Sequence, residues 1–372
     1  MSYVDWWIFI AVAIVVIAGG YSVYGANAKA KECYTGGRSI PWYVAGTSMS
    51  ATSLSSDTPL LVASIVFSQG ISGSWIWWIG APAVFATAFY FAHLWWRSGV
   101  ATEMELITFR YGHSKASKLL RAFKALSDGL IFNSLLIASI TLAFNHVAQQ
   151  LGVPDQWYLM LGSQQEKIAI ITLLVFLAVV GYTILVGLRG VVFSDIMQFS
   201  LAILASWIII AVALEDFSIT AMLSSLPQKM TSFFPTELDN DEINYFWLFI
   251  ACAWCYRAAG SGPLVQRLIA VRSESDAVKS VLLHSVLHFI VRSWPWIIVE
   301  LLAISILPST TTPDSVYPKM MLHLLPEGLL GLSLACLLAA YVSTLDTHLN
   351  WGSSLIVNDV WGQISKSEGN IR

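Results

Sequence analysis

The stretch Thr47-Ser48-Met49-Ser50-Ala51-Thr52-Ser53-Leu54-Ser55-Ser56-Asp57-Thr58-Pro59 lies inside an apolar run, Trp42 to Phe67, long enough to cross a bilayer. Its composition is wrong for a plain membrane anchor. Hydroxyl residues and a proline without an amide hydrogen loosen a helix, and in hydrocarbon every freed carbonyl must find a partner. Irregular backbone at that depth survives only against protein or a water-filled cavity, and a carboxylate such as Asp57 there marks a candidate functional site. The alternative is a proline-kinked span whose hydroxyls bond back onto carbonyls of the previous turn.

The whole chain supports a membrane setting. Of 372 residues, 56% are hydrophobic and only 12% charged, about half the charged share of a soluble globule. Mean hydropathy is +0.67. The net charge of -3 comes without a basic patch of the kind that binds nucleic acid, so no such partner is expected. Cys252 and Cys255 form a CxxC with no second pair or nearby His, and read as small buried hydrophobes. The first apolar run, residues 4–24, has no basic start and carries Asp5, so it reads as a retained helix rather than a cleaved leader.

Apolar spans fall at about 4–24, 42–68, 74–96, 118–149, 166–187, 190–214, 242–266, 278–307 and 328–359, nine helices in an all-α polytopic membrane protein. Alternate loops divide the cations unevenly. Fifteen of the 20, among them Arg97, Arg121, Lys124, Arg267 and Arg272, fall in one set, and only Lys167, Lys229 and Lys319 in the other. Because Lys and Arg accumulate in cytoplasmic loops, the amino terminus is expected outside and the carboxyl terminus inside the cell membrane. Arg257 and Arg292 are left within spans. Trp75, Trp77 and Trp78 read as an interfacial belt, with a vestibule for a sugar ring as the alternative.

A second anomalous span carries Ala339-Ala340-Tyr341-Val342-Ser343-Thr344-Leu345-Asp346-Thr347-His348-Leu349-Asn350. Ala340, Ser343, Thr344 and Thr347 fall at i, i+3, i+4 and i+7 and share one helix face. A stripe of hard oxygen donors beside a carboxylate suits sodium, with carbonyls of an unwound helix completing the shell. A helix-packing face is the competing reading. Asp346 favours the ion, since a carboxylate at that depth costs about 2.5–3.5 kcal/mol on insertion scales. Asp195, in Val191-Val192-Phe193-Ser194-Asp195, reads either as an ion pair with Arg189 or as part of a second cation site shared with Asp346.

Together these landmarks resemble the sodium:solute symporter family, built on the inverted-repeat fold of LeuT-type transporters. The resemblance also rests on Tyr34-Thr35-Gly36-Gly37-Arg38-Ser39-Ile40-Pro41-Trp42, Thr102-x-x-Glu105 before Arg110-Tyr111-Gly112, and Val265-Gln266-Arg267. It implies a sodium site made by the carbonyls of Ala51, Leu54 and Ala340 with the side chains of Ser343 and Thr344. A second sodium would use Asp195, Ser343, Asp346 and Thr347. The solute would sit at positions matching Ser53, Ser56 and Asp57, facing the sixth core helix with Ser261. Arg257, on that helix, reads either as the anchor of an anionic or zwitterionic solute or as the ion partner of Asp57 or another protein carboxylate. Where the family often carries an Asn-Gln or Asp-Gln couple, this chain has Ser261-Gly262-Pro263, a departure that argues against a sugar-type site.

The implied organisation is an extra helix (4–24), a first repeat (42–214) and a partial second repeat (242–360), a shortened member lacking the last two core helices. The implied activity is sodium-coupled symport of an amino acid, carboxylate or sugar by alternating access. The partners would be that small solute, sodium and the lipid bilayer, with no cofactor and no metal other than sodium. A non-transporting relic or sensor module and a proton-coupled transporter are the alternatives. An enzyme is not expected, because His348, Asp346 and Ser343 lie on one helix with no oxyanion site.

Overall fold

The computed structural model describes residues 1–22, 32–152, 163–236, 240–253, 258–308 and 311–364. The first apolar run forms α1 (Tyr3–Ser22). The polar stretch at 47–59 does interrupt its helix: α2 (Trp42–Thr52) stops, and α3 (Asp57–Gln69) starts after a gap of four residues. Pro59 lies in the first turn of α3, where an amide hydrogen would have had no helical partner. The following helices are α4 (Ile71–Ser98) and α5 (Lys115–Leu151).

One element runs from Gln164 to Asp216 (α6), 53 residues. At 1.5 Å per residue it would be about 80 Å long, far beyond a hydrocarbon core of about 30 Å. Gly187, at φ 59° and ψ -169°, breaks it into legs 164–186 and 188–216. That conformation is open to glycine and strained for any residue with a Cβ. The legs match the expected spans 166–187 and 190–214.

The span expected at 242–266 is not continuous. It comprises α7 (Asn240–Ala253) and α8 (Pro263–Ala270), and between them Gly260 and Gly262 take positive φ of 79° and 63° before proline opens α8. Glycines that leave the helical region, followed by a proline fit for a first turn, end one helix and start another. The chain continues through α9 (Glu274–Ile306), a short α10 (Val316–Leu324) absent from the expected spans, and α11 (Leu329–Trp361). Among the described residues, strand pairing is confined to one bridge between Ile40 and Val271, which ties the approach to α2 to the exit of α8.

The longest apolar helices, α4, α5, α6, α9 and α11, have the length and composition to cross a membrane. α11 is the centre, packed against α6, α1, α2 and α5, and the first half of α9 runs along α2 while its second half runs along α3. Contact with α1 is backbone-close: a Cβ on Gly331 would stand 2.1 Å from the Asp5 carbonyl oxygen. Small residues allow such approaches where lipid removes the hydrophobic drive between helices. Asp5 itself accepts hydrogen bonds from the amides of Gly328 (2.7 Å) and Gly331 (2.9 Å). Its charge thus meets the unpaired amides and positive dipole end of α11.

Two cations assigned to cytoplasmic loops are not solvated. Arg267 is fully buried inside the bundle, and Arg121 is buried against Asp359 at the end of α11. The loop asymmetry is therefore smaller than the count suggested, although Arg97, Arg110, Lys124 and Arg272 still lie at one end of the helices.

Candidate functional site

The break between α2 and α3 leaves carbonyls without helical partners, and α11 brings a hydroxyl to them. The Thr344 hydroxyl lies 3.2 Å from the Thr52 carbonyl oxygen, 3.5 Å from that of Leu54 and 3.3 Å from that of Ala340. The Ala51 carbonyl accepts from the Leu54 amide at 2.9 Å, which folds the chain back at the same point. Ser343, next along α11, donates to Asp195 at 2.5 Å. Four of the five residues named for the first sodium site, Leu54, Ala340, Thr344 and Ala51, thus meet at the unwound end of α2. Such hard, uncharged oxygens, dry and already clustered, are chemically suited to a small monovalent cation.

The second candidate set centres on Asp195, from the second leg of α6. Its carboxylate accepts from Ser343 and from Ser48 (2.5 Å), and its ion partner is Arg267 at 3.5 Å, not Arg189. Arg267 also donates to Ser48 (3.0 Å) and to Thr347 (2.6 Å), whose hydroxyl in turn meets that of Thr52 at 3.1 Å. Asp346 is fully buried and accepts from the Tyr182 hydroxyl of the first leg of α6. One buried guanidinium therefore connects α8, α2, α6 and α11. His348, the remaining member of the triad-like group, is engaged with Asn133 at 2.6 Å, while Ser343 donates to Asp195.

The solute positions separate. Asp57 lines a cleft of about 600 Å³ together with Ser139, Asn145, His146 and Asp314, a volume in the range of small-molecule sites. The Ser53 hydroxyl bonds back to the Met49 carbonyl (3.0 Å). Ser56 is buried and donates to the Ile140 carbonyl (3.0 Å), which fastens the break to α5 and takes its hydroxyl away from the cleft. Ser261 is exposed at the α7–α8 break, and Arg257 lies outside the described residues. The cation that reaches the α2–α3 break is Arg292 of α9, which donates to the Ser53 carbonyl. Trp75 and Trp78 pack against Phe233, an aromatic cluster rather than an open ring platform.

The opposite end of the bundle is closed. Arg121 binds Asp359 at 2.6 Å and Glu105 at 3.2 Å, and Thr102 donates to Asp359 at 2.9 Å. Arg121 and Gln149, near the two ends of α5, are about 40 Å apart along the helix.

A family profile described as "Sodium:solute symporter family" matches residues 33–371 of this sequence. The chain belongs to the sodium:solute symporter family. Its relatives in that family are transporters, not enzymes, and sodium is the coupling ion of the family. A sodium/glucose cotransporter of Vibrio parahaemolyticus is 24% identical over 99% of this chain and 71% of its own length. The human sodium/iodide cotransporter is 23% identical over 90% of this chain, which spans about half, 52%, of that relative. Among solved structures, a Na+-coupled sialic acid symporter in a substrate-bound outward-open state superposes with a TM-score of 0.79 at 20% identity, covering 98% of this chain and 75% of that one. That likeness establishes the LeuT-type fold of this symporter-family member.

Within that fold, sequence reasoning placed the break and the α11 stripe but missed Arg267, Arg292 and Tyr182 as site residues. Arg267 had been assigned to a loop. Arg292 carried a signal, a cation deep within a span, without an indication of what it meets.

Proposed function

We propose that the chain is a sodium-coupled secondary active symporter of a small polar solute. The observation that carries this reading is the convergence of the Thr52, Leu54 and Ala340 carbonyls on the Thr344 hydroxyl at the unwound end of α2. Sodium held by Ala51, Leu54, Ala340, Ser343 and Thr344 would link the broken helix to α11. An ion that binds one arrangement of these elements better than another shifts the population toward it, and so couples its gradient to the solute. Asp195, Ser343, Asp346 and Thr347 form the candidate second cation site, with Arg267 already placed among them.

The solute site is assigned to the cleft beside Ser53 and Asp57, and Ser56 serves to anchor the break; Ser261 is left out of it, because the α7–α8 break abuts Glu103 at the closed end. The cleft at one end of α5 and the ion-paired cluster at the other, among the described residues, support a bundle open toward the cleft, one of the two arrangements between which alternating access moves. The basic, closed end is assigned to the cytoplasm and the cleft to the outside. Symport in a lipid bilayer needs no cofactor, and no nucleic-acid partner is proposed.

The test is uptake of radiolabelled amino acids, sugars and carboxylates into proteoliposomes under an inward sodium gradient, beside a matched potassium gradient. Accumulation of one class only with sodium supports the reading. Equal fluxes with both ions, in protein shown to be folded, would defeat it.

A further inference from the structure

α5 is longer than the bilayer it crosses. Its 37 residues from Lys115 to Leu151 rise about 55 Å, against a hydrocarbon core of about 30 Å. The stretch Asn133–Leu151, 19 residues, covers about 28 Å of that core. A π-helical segment, Ser127–Phe132, separates it from the opening turns, Lys115–Leu126, which fall at headgroup level. From Glu105 to Leu126 five Lys and Arg residues stand against one acid, Glu105, and that acid is already occupied by Arg121 and by the Ala101 amide at 2.7 Å.

The two faces of Lys115–Leu126 differ. Ser117, Arg121 and Ala125, at i, i+4 and i+8, are buried: Arg121 is held by Asp359, Glu105 and Thr108, and Ala125 packs with Trp351 and Leu355 of α11. Lys115, Lys118, Leu119 and Phe123 face outward, the last two 73% and 64% exposed. Just before the helix, Phe109, Arg110 and Tyr111 are exposed as well, the Arg110 guanidinium lying 5.6 Å from the centre of the Tyr111 ring. Among the described residues Arg110, Lys115 and Lys118 make no ion pair, whereas Lys124 is taken by Asp128 at 2.9 Å. Free cations beside exposed apolar side chains, at headgroup depth, complement a surface that is negative outside and apolar beneath. A soluble polyanion would match the cations and leave Leu119 and Phe123 uncovered.

We infer that this outer face, with Arg110, is a docking site for anionic phospholipid headgroups, and that a leaflet holding it steadies the closed end of the bundle through Arg121 on the inner face. One short helix thus reaches the headgroups with Lys115 and Lys118 and the end of α11 with Arg121. Docking and closure require one placement of that helix, so lipid that binds it there shifts the population toward the closed arrangement. Each basic residue adds to the attraction of an anionic surface, and the attraction fades as salt rises. The inference needs only that α5 spans a bilayer, and it is independent of which ion or solute the chain carries.

The experiment measures hydrogen exchange of the purified chain in nanodiscs of phosphatidylcholine alone or with phosphatidylglycerol added, at low and at high salt. The variants are the triple change Arg110→Gln/Lys115→Gln/Lys118→Gln, confined to exposed side chains, and Arg121→Gln. Phosphatidylglycerol is expected to slow exchange several-fold at 99–126 and in the last turn of α11, with the effect shrinking in high salt and disappearing in the triple variant. The salt response of the unmodified chain keeps the test informative if the triple variant does not fold. In Arg121→Gln the slowing should remain at 110–120 and no longer reach α11. No response to phosphatidylglycerol, or a full response in the triple variant, overturns the docking site. Slowing confined to 110–120 in the unmodified chain overturns the link to the closed end. The same slowing by soluble glycerol phosphate, in phosphatidylcholine alone, overturns the leaflet assignment in favour of a free anion.

Discussion

The Arg267 guanidinium lies 3.5 Å from the Asp195 carboxylate with neither group exposed to solvent, which locks α8 to the second leg of α6 behind the α2–α3 break. The pair also holds Ser48 and Thr347, so it sets the position of the hydroxyl stripe on α11. Removing one partner strands a buried charge. Arg267→Gln is therefore expected to lose on the order of 3–5 kcal/mol of stability. The double variant Asp195→Asn/Arg267→Gln should recover part of that loss, read as unfolding midpoints in detergent. A double variant worse than the sum of the single ones would show that the pair is not the relevant unit.

Glu103 supplies a pH dependence outside the membrane-spanning segments. Its carboxylate accepts from the Gly262 amide at 2.7 Å, at the start of α8, and burial pushes its pKa from 4.5 up to about 7, with Asp128 and Asp359 pushing the same way and Lys124 opposing. The folded group keeps its proton where the unfolded chain has already released it. Its contribution is thus fully present below about 4.5 and is lost as pH rises through about 7. Unfolding midpoints should fall between pH 5 and 8, and Glu103→Gln should flatten that slope. An unchanged slope in the variant would assign the dependence elsewhere.

The closed end depends on Arg121, whose guanidinium joins Asp359, Glu105 and the Thr108 hydroxyl (3.1 Å). Arg121→Gln leaves Asp359 buried with no cation. Hydrogen exchange of residues 99–111 and of the last turn of α11 should quicken by roughly tenfold or more, since about 1.4 kcal/mol of lost closure corresponds to that factor. Exchange at α1 serves as the unaffected control. Uniform quickening across the chain would indicate global destabilisation rather than opening of this end.

How much of this was legible beforehand follows the physics of each signal. The α2–α3 break could be read because Ser, Thr, Asp and Pro are costly in a spanning helix, and the α11 stripe because its spacing matches the helical period. The α7–α8 break was missed: Ser261, Gly262 and Pro263 were taken as a departure from a family pattern, and their backbone meaning was not drawn. Arg267 was misplaced because a cation near a span end reads as a loop residue until tertiary packing folds it inward. Arg292 was visible as an anomaly, but a lone charge in a sequence does not name its partner; the break it serves lies 239 residues away.

Asp5 gives a test of the α1–α11 junction. Asp5→Ala removes the acceptor for the Gly328 and Gly331 amides and is expected to cost about 1–2 kcal/mol, whereas Asp5→Asn, which keeps an acceptor, should cost less. Equal losses in the two variants would show that the charge, and not the capping bond, is what matters there.

The central claim is that the Thr344 cluster binds sodium, and equilibrium binding of radioactive sodium to the purified chain addresses it most directly. Saturable binding that potassium does not displace is expected, with roughly tenfold or greater weakening in Thr344→Val, which deletes one hydroxyl ligand worth about 1.5–3 kcal/mol and keeps the branched shape. Ser343→Ala should weaken it as well. Sodium binding of unchanged affinity in Thr344→Val, or none in the folded unmodified chain, would contradict the account.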